Sequence, residues 1–124
     1  MTHEQISQKM QQYIDNCQNC HAVFLQSIDH FSEIGDEQNS AIYIKLLQDC
    51  IRVCQTSADF VIEKGDHPKI YGVYADLYDS CAAECEKMAA GNAADVMQRC
   101  ADACRKCADS CRQMSQDAQT LRAM

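Results

Sequence analysis

The chain has 124 residues, 47% of them apolar and 23% charged, and a formal net charge of −7. That composition belongs to one folded domain, spanning residues 1–124, rather than to a disordered segment. An acidic balance argues against nucleic acid and anionic membrane surfaces as partners, since both recruit basic patches. One Pro and four Gly are too few for a β-sandwich, and the entry that stands out is ten Cys.

Three short breaks divide the chain: Ile34-Gly35-Asp36, Lys64-Gly65-Asp66-His67-Pro68 and Ala90-Gly91-Asn92. They predict four helices at about 3–33, 38–64, 68–90 and 93–122. Thr2 and Gln5 form a capping-box pattern before the first helix. Each break's glycine is expected to take the left-handed conformation that ends a helix. Pro68 suits the first turn of the third helix. Asn92 is a candidate N-cap for the fourth, with Asp95 in its first turn.

Each helix carries an apolar seam at three- and four-residue spacing. The first runs Ile6, Met10, Tyr13, Cys17, Cys20, Phe24, Ile28 and Phe31. The second runs Tyr43, Leu47, Cys50, Cys54, Ala58 and Val61. The third is read as Ile70, Tyr74, Leu77, Cys81, Cys85 and Met88, with Gly72 a weak point in its interior. The fourth is the most regular: Met97, Cys100, Cys104, Cys107, Cys111, Met114, Ala118 and Leu121. Four such helices joined by short loops make an all-α, antiparallel up-down-up-down four-helix bundle with a cysteine-lined core.

All ten cysteines fall on these seams. At a rise of about 1.5 Å per residue, antiparallel helices bring them to one level, about 16–32 Å from the start of the first helix. Cysteine is a small hydrophobe and is often buried, but ten at one height would fill a core poorly where leucine packs better. Helical i,i+4 pairs such as Cys50/Cys54 and Cys81/Cys85 stand about 5–6 Å apart at Cβ, too far for an unstrained disulfide. Bridges between helices stay open. Two thiolates sharing a metal need sulfurs about 4–5 Å apart, which flexible χ1 angles reach.

Soft thiolates select Cu(I), zinc or iron–sulfur clusters. A zinc held by four thiolates is a dianion, costly in a bundle core. Iron–sulfur clusters draw on loop cysteines and free backbone amides. Cu(I) accepts few ligands and thiolates bridge between copper ions, so several Cu(I) per chain leave the core near neutrality. His21, directly after Cys20, borders the same seam and is a candidate ligand. Met10, Met88, Met97 and Met114 read first as core filler, with a secondary role in passing Cu(I) along.

The motifs Cys17-x2-Cys20, Cys50-x3-Cys54, Cys81-x3-Cys85 and Cys100-x3-Cys104-x2-Cys107-x3-Cys111 resemble those of the bacterial four-helix-bundle copper storage proteins. The resemblance spans nearly the whole chain. It implies a bundle whose core cysteines bind many Cu(I) ions, with homotetramers common and members lacking a signal peptide cytosolic. The polar opening Met1-Thr2-His3-Glu4-Gln5 has no secretory pattern, and the chain has no stretch of membrane-spanning length, so a cytoplasmic location is expected. The chain has fewer cysteines than well-filled storage members, with Ile, Tyr, Phe and Leu at the bundle ends.

Two other chemistries stay in view. Cys17-Gln18-Asn19-Cys20-His21 matches the c-type haem attachment pattern, but eight further cysteines would go unused. Cys17 and Cys20 also form a C-x-x-C, without the βαβ pattern of a thioredoxin-like oxidoreductase. An acidic interaction surface is a third reading, although the charges are spread over the helix faces. No residue constellation points to hydrolysis or phosphoryl transfer. The expected function is therefore non-enzymatic Cu(I) storage, buffering or detoxification.

Overall fold

The computed structural model describes residues 3–34 and 37–123, with side chains over 8–33, 40–91 and 93–120. Four helices follow one another: α1 (His3–Ile34), α2 (Glu37–Ile62), α3 (Pro68–Lys87) and α4 (Ala94–Ala123). A 3₁₀ turn at Gly91–Ala93 precedes α4. α1 packs on α2 and α4, and α3 packs on α4 and α2, so the helices form a closed square with α1 and α3 on one diagonal. This is the expected four-helix bundle. The capping pattern at Thr2 and Gln5, the Gly35 break and the side chains of Ile6, Asn92 and Leu121 lie outside what is described.

The helix ends differ from the expectation in instructive ways. α2 stops at Ile62 because Lys64 adopts the left-handed conformation, φ 63°. Gly65 N–H donates to Phe60 C=O (2.8 Å) and Lys64 N–H to Val61 C=O (3.0 Å), the paired bonds of a Schellman close. The left-handed residue is thus the lysine, not Gly65. Glycine is required at 65 for a different reason: a Cβ there would sit 2.3 Å from the Phe60 ring. Pro68 opens α3 as expected, and His67 caps it by accepting from Lys69 N–H through its side chain (3.2 Å). α3 ends at Lys87 rather than near 90, and Gly91, with φ 57°, opens the 3₁₀ turn instead of closing the helix. Asn92 lies inside that turn, not directly before α4.

The largest correction concerns α3. Its buried face is Pro68, Tyr71, Ala75, Tyr78, Ala82 and Cys85, while Ile70 and Leu77 are exposed. The helix is rotated by one residue, about 100°, from the seam read in the sequence. Both stripes have helical spacing, so periodicity alone does not choose between them. The tyrosines do: each buries a ring and satisfies its hydroxyl, Tyr71 donating to Gly65 C=O (2.7 Å) and Tyr78 meeting Ser57 Oγ (2.5 Å). Ala75 and Ala82 on the same face let α3 lie close to α4, and these two helices share the most extensive interface.

Conventional apolar packing is concentrated at the two ends of the bundle. One end holds Phe24, Phe31, Leu47 and Met97, with Phe31 stacked on Tyr43 at 4.6 Å. The other holds Tyr13, Val61, Tyr71 and Met114, with Phe60 edge-on to Tyr71 at 4.9 Å. Side chains of this size contribute about 1.5–3 kcal/mol each when fully buried. They offset the weak packing of small thiols in the middle. Polar ties hold α4 to its neighbours. Arg105 pairs with Asp79 (3.1 Å) and Glu86 (2.8 Å), Arg112 pairs with Asp79, and Lys9 pairs with Asp117 (3.3 Å). Partial burial pushes the Asp79 carboxyl up, but the Arg112 and Arg105 guanidiniums outweigh it and hold the group below its usual range.

Candidate metal centre

Between those apolar ends lies a slab of thiols. Cys17, Cys20, Cys50, Cys54, Cys85, Cys100, Cys104, Cys107 and Cys111 are buried, Cys81 is half-buried, and all ten are free. The i,i+3 and i,i+4 spacing places two thiols of each of α1, α2 and α3 and four of α4 on inward faces. The antiparallel arrangement then sets them at one height, as the sequence predicted.

The thiols form a connected network across helices. Cys104 of α4 has Cys20 of α1, Cys50 of α2 and Cys81 of α3 as neighbours. Cys107 bridges Cys17 and Cys20 on α1. Cys20 also meets Cys54, and Cys50 meets Cys81 and Cys85. Cys100 and Cys111 extend the row at either end, toward Cys85 and toward Cys17. His21 is half-buried at the border of this network. No group of three or more His, Cys, Asp or Glu among the described residues is already gathered to hold a metal ion.

Hydroxyls frame the network, and of the residues that carry them the sequence placed only Tyr13 on a seam. Cys17 Sγ lies 3.5 Å from Ser57 Oγ and 3.4 Å from the Tyr78 hydroxyl. Cys111 donates to the Tyr13 hydroxyl (3.1 Å), and Ser27 Oγ lies 3.2 Å from Cys100 Sγ. Ser27 and Ser57 are both buried, and each also donates to a backbone carbonyl, of Val23 and Cys54. These serines occupy seam positions, but polarity removes them from an apolar count. Their spacing, three or four residues from a seam cysteine or phenylalanine, is the signal that was available.

The dry environment keeps most thiols protonated. Burial pushes Cys100 and Cys111 up to about 12, against opposing contacts from Ser27 and Tyr13. Cys104 is raised by its three thiol neighbours and by burial. Cys17 is raised by Cys107 and by burial, with Ser57 and Tyr78 opposing. Cys81 runs the other way, held below the ordinary thiol range by contacts with Cys104 and Cys50. A neutral thiol core costs little to bury, whereas ten thiolates without counter-ions would not be tolerated.

The arrangement has a definite chemical capacity. Soft donors from four helices, nine of the ten buried, suit a soft monovalent cation of low coordination number. No helix among the described residues is long and apolar enough to cross a membrane. The family model described as copper storage protein matches residues 6–116. No curated protein and no solved structure matches the chain.

Proposed function

The chain belongs to the copper storage protein family, and from that premise we propose that it holds several Cu(I) ions on the thiolates of its core, as a non-enzymatic store, buffer or sink. The observation that carries this reading is the slab of ten thiols from four helices, nine of them buried, in which Cys104 has Cys20, Cys50 and Cys81 as neighbours. A thiolate bridging between copper ions needs neighbours on more than one side, and Cys104 has them from three helices. The proposed ligands are Cys17, Cys20, Cys50, Cys54, Cys81, Cys85, Cys100, Cys104, Cys107 and Cys111, with His21 at the edge.

Charge supports the choice of Cu(I). Each ion that replaces a thiol proton leaves the core neutral, so the loaded and empty states are both compatible with burial. Ten free thiols support a reducing compartment, and we place the protein in the cytoplasm. The family resemblance supports a homotetramer.

An anaerobic titration of fully reduced protein with Cu(I), against a competing chelator, tests the reading. Several equivalents bound before the chelator fills, and lost when Cys104 and Cys107 are both replaced by Ala, are expected. One equivalent or none would end it and turn attention to zinc, thiol–disulfide chemistry or a packing role.

A further inference from the structure

Nine of the ten cysteines are sealed in the core, whereas Cys81 is half-buried. It is not an isolated surface thiol, because it neighbours the buried Cys50 and Cys104. The rotation of α3 explains its position. With Tyr78, Ala82 and Cys85 facing inward, Cys81 falls beside that face, near Cys50 and Asp49 of α2.

That shoulder borders the weakest wall of the bundle. Among the described residues, α2 and α3 share the slimmest of the four helix–helix interfaces. Its hydrogen bonds, Ser57 to Tyr78 and Tyr74 to the Thr56 carbonyl, lie on the side of Cys81 nearer the α2–α3 loop. No ion pair among the described residues joins α2 to α3. The α3–α4 wall, by contrast, is clasped by Arg105 and Arg112.

We propose that the α2–α3 seam at Cys81 is the port through which Cu(I) passes into the thiol network, delivered by exchange from a small soluble bis-thiolate complex. This rests on the Cu(I)-binding reading above. The recessed thiol admits a small complex more readily than a folded carrier. In the first exchange Cys81, as its thiolate, displaces one carrier thiolate, which leaves to solvent, and a mixed carrier–copper–Cys81 species forms. In the second, the Cys50 or Cys104 thiol displaces the remaining carrier thiolate, which leaves carrying that thiol's proton. Copper stays Cu(I) throughout, and each exchange forms one Cu–S bond and breaks one. The ion is then bound to a buried thiol that already contacts Cys20, Cys81 or Cys85.

The test compares Cys81→Ala with Cys85→Ala, a fully buried thiol on the same helix. Each variant removes one ligand, so both are expected to lose a similar small part of the capacity. Anaerobic uptake from a Cu(I)–glutathione complex is expected to slow by about tenfold or more in Cys81→Ala only, because access governs thiol exchange. Equal uptake rates in the two variants would overturn the port. Independently, folded metal-free protein treated with one equivalent of N-ethylmaleimide is expected to carry the label on Cys81 by peptide mass mapping. A label found first on another cysteine would also overturn it. If the parent protein binds no Cu(I), the storage reading fails, while the labelling result still reports on the opening itself.

Discussion

The Cys17 thiol on α1 lies 3.4 Å from the Tyr78 hydroxyl on α3, across the diagonal of the bundle. The two helices do not pack on one another, so the tyrosine spans the core to reach it. The same hydroxyl lies 2.5 Å from Ser57 Oγ on α2. A polar knot thus joins three helices at one edge of the thiol slab.

Tyr78→Phe removes that knot's central hydroxyl and leaves the ring. Ser57 keeps its bond to the Cys54 carbonyl (3.2 Å), so no buried donor is orphaned there. The expected cost is about 1 kcal/mol, the net worth of a buried hydrogen bond, measured by urea denaturation of metal-free protein. A loss of several kcal/mol would mean that the hydroxyl supports more than these contacts.

Cys104 and Cys54 give a contrast in copper capacity. Cys104 contacts thiols of three other helices, whereas Cys54 is a neighbour of Cys20. Cys104→Ala is expected to lower the number of tightly held Cu(I) ions by more than Cys54→Ala, because bridging positions are shared between ions. Chelator competition counts both. Equal losses would show that the sites fill independently.

The metal-free protein should lose stability in base. Cys100 and Cys111 ionise only at about 12 in the folded protein, through burial, whereas an unfolded thiol ionises near about 8.5. Their folded values are raised, so their contribution is complete below about pH 8.5 and declines as pH climbs toward about 12. The urea midpoint of the metal-free form is expected to be lower at about pH 10 than at neutral pH. In the Cu(I)-loaded form the ligating thiols have already lost their protons, and the fall should shrink. A flat profile for metal-free protein would contradict the buried neutral core.

Two glycines should respond in opposite directions. A Cβ at Gly72, inside α3, meets nothing within 4 Å, so Gly72→Ala is expected to stabilise by about 0.5–1 kcal/mol through helix propensity. A Cβ at Gly65 would strike the Phe60 ring at 2.3 Å, so Gly65→Ala is expected to lower the melting temperature. Thermal unfolding of the two variants checks both signs.

Much of this protein was legible in its sequence, because local spacing controls much of it. Seams at three- and four-residue intervals determined the number of helices and their inward faces for α1, α2 and α4. The cysteine spacing, with the rise of a helix and antiparallel order, determined that thiols of all four helices meet at one level. Three features waited on the tertiary structure. The face of α3 was decided between two periodic stripes by the tyrosine hydroxyls, whose partners Ser57 and Gly65 lie outside the helix. The serines and tyrosines around Cys17, Cys100 and Cys111 gained their role from sulfurs distant in sequence. Cys81 became the half-buried thiol through that same rotation. Periodicity shows that a helix has an apolar side, but only packing against the other three helices decides which degree of rotation buries the most surface while leaving no polar group unpaired.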